Sequence, residues 1–424
     1  MLKRVQKTNP LKGEITIPAD KSISHRAVMF SSLAKGKSLI TNFSSGADCW
    51  STLNIFKQLG VEINVIDKKT IDILSNGSLK KTFTPLDAGN SGTTTRLLAG
   101  ILAGQNFDSE IIGDESLSKR PMKRIIEPLT LMGAKIESAD NHLPLKIYGQ
   151  KLHGIIYHSP ISSAQVKSSV LLAGLNAEGA TTVVEPSQSR NHTELMLKYM
   201  GADITADDKE ITIYPSELIA KDIEIVGDIS SAAFFIVAGL IVPNSDFIIK
   251  NVGINPTRSG ILNVIKRMNA EVAVDNKRTI AGEECADLHV VYNNELKGCV
   301  IEGNDIPTLI DELPVIAVLA SQAEGETVVK NAEDLRNKEA DRITCLVTEL
   351  KKIGVNIEET QDGFIIYGKT KLCGGAELES YHDHRLAMSF YIAGLICERE
   401  IAINGFEWTN ISFPEFEEII NGLQ

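Results

Sequence analysis

The chain has 424 residues, enough for two or more domains, and its 43% hydrophobic and 23% charged residues are typical of a globular protein. Its longest apolar stretch, 232–243, is shorter than the ~20 residues that a membrane-spanning helix needs. The 55 acidic and 43 basic residues give a net charge of −12, which argues against a nucleic-acid or anionic-membrane partner.

The cysteines and the first residues indicate a compartment. The six cysteines are scattered, with no CxxC pair and no histidine at zinc-finger spacing, so we expect free thiols and no metal site. The opening MLKRVQKTNP has no apolar core, so we expect no signal peptide. Together these features predict a cytoplasmic protein.

A phrase that predicts a buried helix occurs six times along the chain. Each copy begins with a small or polar turn and continues as a helix that is apolar over most of its circumference. A strand such as TTVVEP or ETVVKN follows each helix. In chain order, the copies lie at 21–36, 89–104, 163–179, 228–243, 311–325 and 383–398.

A second phrase follows each of the first five copies. It reads as a helix end, then Gly or Asn as a left-handed stop, then a strand. The stop residues are Gly60, Gly133, Gly201, Asn269 and Gly354, separated by 73, 68, 68 and 85 residues. Self-similarity at a period of about 70 residues indicates a repeated supersecondary unit, here βαβαββ.

The repeat predicts an α/β fold with two lobes of three βαβαββ units each. The sixth unit lacks its final strands, and residues 2–18 read as strands without a preceding helix. We therefore expect the N-terminal strands to complete the last unit. One lobe is then 19–227, and the other combines 1–18 with 228–424, joined by short hinges.

Charged side chains concentrate where the six helices begin. N-capping accounts for residues such as Asp228, but it does not account for Lys21, Arg26, Lys167 or Arg385. A cation in the first turn opposes the helix dipole, whereas an anion bound there would explain it. If two facing lobes direct these helix starts into one cleft, that cleft is electropositive whatever the net charge.

Two further segments are rich in cations. SLSKRPMKR (116–124) carries four of them, and LRNKEADR (335–342) carries Arg336, Lys338 and Arg342 beside Glu339. Lys338 and Arg342 would share one face if this second run is helical. Both runs suit anionic ligands, although a solvated charged helix would have the same composition.

Ten stretches, in order along the chain, resemble the enolpyruvyl transferase family, most closely its EPSP synthase branch. They are LKGEITIPADKSISHRA, AGNSGTTTRLL, GDESLSKRPMKR, SSAQVKSSVLLAGL, SRNHTE, DISSAAFF, NPTRSGIL, LIDELP, LRNKEADR and DHRLAMSF. The resemblance implies two lobes of inside-out α/β barrel type around two anionic substrates. We expect a monomer with no cofactor, no metal, and no nucleic-acid or membrane partner.

The reaction implied by the resemblance joins two small anions. The enolpyruvyl (1-carboxyvinyl) group of phosphoenolpyruvate passes to the 5-hydroxyl of shikimate 3-phosphate, and phosphate is released, in the biosynthesis of chorismate and aromatic amino acids. Glyphosate inhibits the family by occupying the phosphoenolpyruvate site, and Gly92, where alanine would be the resistant choice, favours sensitivity in this chain.

The resemblance also implies two overlapping sets of ligand residues. Shikimate 3-phosphate would be bound by Lys21, Ser22, Arg26, Ser163, Gln165, Ser189, Arg190, Asp311 and Lys338. Phosphoenolpyruvate would be bound by Lys21, Asn90, Gly92, Arg120, Gln165, Arg342, His384 and Arg385. Guanidinium groups suit carboxylate and phosphate geometry, and a glycine lets the backbone approach a ligand closely.

The implied chemistry is addition followed by elimination, which needs an acid and a base. Asp311 resembles the family carboxylate that accepts the hydroxyl proton. Glu339 and Lys21 are both candidates for protonating the methylene carbon, and the sequence does not choose between them. Since Glu339 is flanked by Lys338 and Arg342, we expect it to be ionised until a bound anion raises its proton affinity.

The chain departs from the family pattern in two places, and two other functions compete. The segment 410–414 lacks the lysine that many members carry before FPxF, and His192 stands where some have tyrosine. One rival is the sister enzyme that acts on UDP-N-acetylglucosamine, whose loop cysteine is absent from 113–124. The other is a non-catalytic polyanion or RNA binder, against which the acidic composition, Asp311 and Glu339 all count.

Overall fold

The computed structural model describes residues 1–424, which divide into two compact units. Unit 1 comprises Met1–Pro18, Val226–Arg278 and Glu284–Gln424, and unit 2 comprises Ala19–Ile225 and Thr279–Glu283. No helix in either unit has both the length and the apolar character needed to cross a bilayer.

The chain forms fourteen α-helices, the longest of 13 residues. They are α1 (Lys21–Leu33), α2 (Ala47–Gln58), α3 (Gly92–Ala103), α4 (Glu115–Ser118), α5 (Lys123–Leu131), α6 (Ala164–Gly174), α7 (His192–Tyr199), α8 (Ile229–Ile241), α9 (Gly260–Arg267), α10 (Ile306–Leu309), α11 (Leu313–Ser321), α12 (Arg342–Lys352), α13 (His384–Gly394) and α14 (Phe416–Gly422).

Twenty-four strands alternate with these helices. They are β1 (Leu2–Val5), β2 (Lys12–Thr16), β3 (Ala34–Thr41), β4 (Glu62–Asp67), β5 (Thr70–Asn76), β6 (Leu86–Asp87), β7 (Ser109–Ile112), β8 (Lys135–Ala139), β9 (His142–Tyr148), β10 (Ile156–His158), β11 (Thr181–Val184), β12 (Ile204–Asp207), β13 (Glu210–Ile213), β14 (Leu218–Ile219), β15 (Ile223–Glu224), β16 (Asp246–Gly253), β17 (Ala273–Ile280), β18 (Glu283–Val291), β19 (Val300–Ile301), β20 (Gly325–Val329), β21 (Ile357–Glu359), β22 (Phe364–Gly368), β23 (Glu377–Glu379) and β24 (Ile401–Asn404).

Unit 2 contains three sheets of the same plan. Their strand orders are β14-β3-β5-β4, with β15 also on β3, then β6-β7-β9-β8, and β10-β11-β13-β12. In the second and third sheets a buried helix connects a parallel pair, β6 to β7 through α3 and β10 to β11 through α6. An antiparallel hairpin completes each sheet, which gives the expected βαβαββ order.

Unit 1 repeats the plan with β17-β18-β16-β2, β19-β20-β22-β21 and β1-β24-β23. As expected, the first strand closes the last sheet, with Leu2 opposite Asn404 in an antiparallel pair. The second strand differs from the expectation, because Lys12 lies opposite Asp246 in a parallel pair of the first of these sheets. The N-terminal segment therefore contributes to two sheets, since β2 is the parallel partner of β16, the strand that follows α8.

Buried helices form the centre of each unit. In unit 1, α8, α11 and α13 pack on one another, and their apolar side chains belong to one continuous core. In unit 2, α3 packs on both α6 and α1. Nearly every residue of these helices is buried, and the charged residues Lys167 and Arg385, in the first turns of α6 and α13, are buried with them.

Side-chain caps determine where several of these helices begin. Asp20, Ser91, Asp228 and Asp383 each accept a hydrogen bond from a backbone N–H of the first turn of α1, α3, α8 and α13. Such a cap contributes about 1 kcal/mol. The residues next to the caps, which include the predicted ligands Lys21, Gly92 and Arg385, are thereby held at fixed points on the helix ends.

Candidate active site

At the start of α1 in unit 2, two predicted ligands are held by neighbouring helices. Lys21 Nζ lies 3.1 Å from the Asp48 carboxylate on α2. Arg26 is buried, and its Nε donates to Thr193 Oγ1 at 2.7 Å while Nη2 donates to Ser168 Oγ at 3.0 Å. Its Nη1 also donates to the Ser22 carbonyl at 2.9 Å, so the guanidinium is fixed in place on all sides.

At the start of α3, unit 2 brings three predicted phosphoenolpyruvate ligands together. Arg120 Nη2 donates to Asn90 Oδ1 at 2.9 Å, and Asn90 Nδ2 donates to the Asp114 carboxylate at 2.7 Å. A Cβ built on Gly92 would lie 3.7 Å from Arg120 Nη1, which places the two residues in contact range. The segment 116–124 thus places Arg120 beside the N-terminus of α3, an arrangement that favours an anion.

The fourth predicted ligand of this group, Gln165, joins it through α3. Arg96 Nη1 donates to Gln165 Oε1 at 2.5 Å, and Gln165 Nε2 donates to Thr93 Oγ1 at 3.1 Å. Both polar ends of the glutamine side chain are therefore oriented by α3. These two hydrogen bonds also connect the start of α6 with the first turns of α3.

Lys167 has a different role from the one that the sequence suggests. Its Nζ is buried within α6 and pairs with Glu185 at 2.9 Å and Glu194 at 2.7 Å. The anions that explain this cation are therefore two glutamates of the same unit and not a ligand. Ser189 and Arg190 lie between these glutamates, on the loop from β11 to α7.

His192, the position where some relatives carry tyrosine, is the first residue of α7 and is buried. Its Nδ1 lies 2.7 Å from the carboxylate of Glu283, which is also buried. Ser163 caps α6 by position but makes no side-chain capping bond. The contact of His192 with Glu283 lies within unit 2.

In unit 1, cations from three elements surround the carboxylate of Asp311. Lys338 Nζ lies 3.6 Å away, Arg342 Nη1 3.5 Å and Arg385 Nη2 3.9 Å. Arg385 Nη1 also donates to the Asp311 carbonyl at 3.2 Å. All four predicted site residues thus meet at one point, with the carboxylate at its centre.

Arg342 is the most deeply buried member of this group, with 1% of its side chain exposed. Its Nε donates to Asp383 at 2.7 Å and its Nη2 to Glu339 at 2.6 Å. Burial opposes the charge, but the carboxylates of Asp383, Glu339 and Asp311 together raise the pKa of Arg342 above that of an ordinary arginine. The guanidinium is therefore a permanent cation with a fixed orientation.

A second polar chain supports Arg385. Glu312, at the start of α11, lies 3.9 Å from Arg385 Nη1 and accepts a hydrogen bond from the Ser230 hydroxyl. Arg258 Nη2 in turn donates to Ser230 Oγ at 3.1 Å and to Asp228 at 2.9 Å. Through Ser230, Glu312 and Arg385, the starts of α8, α11 and α13 form one connected polar region. His384, the first residue of α13, is buried beside Arg385.

The run 335–342 is not the single helix that its spacing allows. Glu333–Asn337 forms a 3₁₀ helix, Lys338 has extended backbone, and α12 begins only at Arg342. Asp341 interrupts the run because it caps α12 by accepting from the Thr344 N–H at 3.1 Å. Lys338 and Arg342 nevertheless both reach Asp311, because the turn between them aims both side chains in one direction.

Each unit thus holds its own share of the predicted site residues. Unit 2 holds Lys21, Ser22, Arg26, Asn90, Gly92, Arg120, Ser163, Gln165, Ser189 and Arg190, and unit 1 holds Asp311, Lys338, Glu339, Arg342, His384 and Arg385. Sequence reasoning missed the partners Asp48, Arg96 and Asp383. An available signal was Asp383 directly before a buried His-Arg pair at a helix start, whereas nothing in the sequence pairs Asp48 with Lys21.

Comparison with known proteins shows the family of the chain. The family model described as EPSP synthase (3-phosphoshikimate 1-carboxyvinyltransferase) matches residues 5–420. The 3-phosphoshikimate 1-carboxyvinyltransferase of Thermoanaerobacter sp. strain X514 is 52% identical over 422 residues, 99% of each chain. The EPSP synthase structure of Acinetobacter baumannii superposes with a TM-score of 0.90 at 43% identity, covering 100% of this chain and 98% of that one.

A more distant structure shows how far the fold extends. The enolpyruvyl transferase NikO from Streptomyces tendae gives a TM-score of 0.82 at 17% identity, covering 100% of this chain and 97% of that one. At this identity the likeness concerns the fold alone. The α/β fold predicted from the repeat is therefore confirmed as that of the enolpyruvyl transferases.

Proposed function

The chain belongs to the EPSP synthase (3-phosphoshikimate 1-carboxyvinyltransferase) family, and from that premise we propose which of its residues bind the substrates and move the protons. Its activity is the transfer of the enolpyruvyl group of phosphoenolpyruvate to the 5-hydroxyl of shikimate 3-phosphate, with release of phosphate, in the shikimate pathway. The family match also decides against the UDP-N-acetylglucosamine enzyme and against a non-catalytic polyanion binder.

In this proposal, shikimate 3-phosphate is bound chiefly by hydroxyl and cationic groups. Arg26 supports the assignment because it is buried at the start of α1 with its orientation fixed by three hydrogen bonds. A preorganised guanidinium loses little entropy when it binds a phosphate. The full set is Lys21, Ser22, Arg26, Ser163, Gln165, Ser189, Arg190, Asp311 and Lys338.

Phosphoenolpyruvate is bound chiefly by arginines. Arg120 stands at the N-terminus of α3 beside Gly92, and Arg342 and Arg385 stand at the starts of α12 and α13. Helix N-termini and guanidinium groups both favour the phosphate and the carboxylate of this ligand. The full set is Lys21, Asn90, Gly92, Arg120, Gln165, Arg342, His384 and Arg385.

The observation that carries the mechanism is the Asp311 carboxylate with three cations within 4 Å. An ionised carboxylate only accepts hydrogen bonds, so it can take the proton of the 5-hydroxyl as that oxygen attacks the central carbon of phosphoenolpyruvate. The cations suit the phosphate and carboxylate charges that gather around the reacting carbon. Elimination of phosphate and loss of a methyl proton then restore the enol ether.

Protonation of the methylene carbon has two candidate donors. Glu339 contacts Arg342 at 2.6 Å, and Lys21 contacts Asp48 at 3.1 Å, so each has a charged partner that can compensate a proton transfer. Turnover in D2O separates them, because protonation places solvent deuterium on the methylene carbon of recovered phosphoenolpyruvate. The variant, Glu339→Gln or Lys21→Met, that abolishes this exchange at saturating concentrations of both substrates identifies the acid.

Phosphate release tests the activity and the base together. We expect release only with both phosphoenolpyruvate and shikimate 3-phosphate, and none when UDP-N-acetylglucosamine replaces the latter. Asp311→Asn should lower kcat by about 10²–10⁴-fold and retain affinity for shikimate 3-phosphate, since a general base contributes that much. Unchanged turnover in Asp311→Asn would remove this residue from the mechanism.

A matched control is available in the same contact. Asp334 also lies 3.6 Å from Lys338, at the same distance as Asp311, but 42% of its side chain is exposed against 16% for Asp311. Asp334→Asn therefore removes an equivalent carboxylate partner, and it should change kcat by no more than about twofold, as most surface substitutions do.

We also propose a cytoplasmic location and a monomeric state. The first is supported by the six cysteines, none of which forms a disulfide, since thiols persist in reducing compartments. Light scattering of the purified chain with both substrates should give the mass of one chain.

A further inference from the structure

Lys167 is a buried cation whose hydrogen-bonding capacity is fully used within unit 2. Its Nζ lies 2.9 Å from Glu185 Oε2, 2.7 Å from Glu194 Oε1 and 3.2 Å from the carbonyl oxygen of Ser189. An ammonium group has three donors, and these three acceptors use all of them. With 1% of its side chain exposed, Lys167 has no donor left for a substrate anion.

Both backbone groups of Ser189 are held by this cluster. Its carbonyl accepts from Lys167, and its N–H donates to Glu185 Oε2 at 3.2 Å. The hydroxyl of Ser189, in contrast, is buried and has no hydrogen-bond partner within the protein. A buried hydroxyl without a partner costs free energy, so its retention suggests a ligand that accepts from it.

The charges of the cluster add a second reason for the lysine. Glu185 and Glu194 are both buried, and each also keeps one carboxylate oxygen without a hydrogen-bond partner. Two buried carboxylates beside Ser189 would repel a phosphate, and the ammonium of Lys167 is the cation that contacts both. The lysine therefore both fixes the Ser189 backbone and reduces the negative potential there.

We propose that Lys167 is a positioning residue for shikimate 3-phosphate, which holds Ser189 so that its hydroxyl donates to the phosphate group. The inference rests on the proposed role of Ser189 as a ligand. Lys167 itself does not touch the substrate. An ion cluster that only stabilised the fold would need neither the two bonds to the Ser189 backbone nor the unpartnered hydroxyl.

The test uses the full chain and measures the dissociation constant of shikimate 3-phosphate by calorimetry. Lys167→Met leaves two buried carboxylates and can fail to fold, so the neutral variant Lys167→Met/Glu185→Gln/Glu194→Gln accompanies it. In the neutral variant we expect affinity for shikimate 3-phosphate to fall about tenfold or more, as for loss of a hydrogen bond to a charged group. The KM for phosphoenolpyruvate and kcat at saturation should change little, and an unchanged affinity for shikimate 3-phosphate would overturn the proposal.

A double-mutant cycle separates this inference from the proposed function. Ser189→Ala alone should weaken shikimate 3-phosphate by a similar factor, and adding it to the neutral variant should cause little further loss. If the fold-changes in the dissociation constant multiply when Ser189→Ala is added to the neutral variant, the two sites act independently and the positioning role of Lys167 is overturned. Unchanged affinity in Ser189→Ala alone would instead refute the proposed role of Ser189.

A buried carboxylate elsewhere serves as the stability control. Asp287 is buried on β18 and contacts the Asn251 N–H at 2.9 Å, Lys250 at 3.6 Å and Arg278 at 3.8 Å. Asp287→Asn should lower the melting temperature without changing the affinity for shikimate 3-phosphate. A matching loss of affinity in Asp287→Asn would show that destabilisation alone explains the effect.

Discussion

Replacing Gly92 with alanine should weaken phosphoenolpyruvate selectively. Gly92 is the first residue of α3, and its backbone does not have a positive φ, so alanine fits the helix. The added Cβ would lie 3.0 Å from Arg96 Nη1 and 3.7 Å from Arg120 Nη1. The first distance is too short for an unstrained contact, so Arg96 must move by a few tenths of an ångström, away from its bond with Gln165.

The expected magnitude follows from the groups that the methyl displaces. The first N–H groups of a helix have no helical acceptor, so the N–H of Gly92, at the first position of α3, can donate to an anion. Loss of one hydrogen bond to a charged ligand costs about 1.5–3 kcal/mol, which corresponds to about 10- to 150-fold in the KM for phosphoenolpyruvate. Folding should gain about 0.5–1 kcal/mol, because alanine is the better helix former.

Steady-state phosphate release and thermal unfolding measure both effects. We expect a higher KM for phosphoenolpyruvate, a nearly unchanged KM for shikimate 3-phosphate and a melting temperature that is not lowered. Gly422→Ala is the matched control, because Gly422 is also helical and its Cβ would meet no atom within 4 Å. A KM for phosphoenolpyruvate within about twofold of the parent chain, or a marked loss of stability, would refute this reasoning.

Two further predictions concern groups behind the site. His25 is fully buried, and burial, together with Lys21, outweighs the Asp48 carboxylate to lower its pKa to about 3. Between pH 6.5 and 3 the unfolded chain therefore binds a proton at His25 that the native chain does not bind. The free energy of unfolding should fall as the pH drops through this window, by up to about 1.4 kcal/mol per pH unit from this group. Urea unfolding at pH 7 and 5.5 should show a smaller loss in His25→Gln than in the parent chain, and equal losses would contradict the assignment. Glu349 is buried in α12 and accepts from the Tyr381 hydroxyl at 2.8 Å and the Glu379 N–H at 3.0 Å, just before α13. Tyr381 has a φ of 54°, which is unfavourable for a non-glycine residue, so its conformation depends on such bonds. Glu349→Ala should therefore release this segment and raise the KM for phosphoenolpyruvate. An unchanged KM would show that the segment keeps its conformation without Glu349.

The sequence by itself determined the repeat and therefore the class of fold. Glycine and asparagine stops, capping residues and apolar helices are local signals, and they act through the backbone of the residues that carry them. For this reason the six buried helices begin close to where the pattern predicts, and the six sheets follow from them. The order of ten motifs then indicated the family, which the comparisons confirm.

The same local reasoning was wrong where the partner of a charge lies far along the chain. The position of Lys167 in a first helical turn predicts a bound anionic ligand, yet its anions are Glu185 and Glu194. The spacing of Lys338 and Arg342 allowed one helix, but a cap at Asp341 divides the run. A sequence shows the sign and the place of a charge, but it does not show what faces it.

Only the tertiary structure decided how the site residues are oriented. Arg342 receives its orientation from Asp383, 41 residues away, and Asp311 receives its three cations from segments up to 74 residues away. The tertiary structure also decides which glycines have no room for a Cβ, since Gly92 faces two guanidinium groups and Gly422 faces none. The physical reason is that hydrogen bonds and ion pairs depend on distances in space, and these are set only when the sheets and helices of each unit have packed.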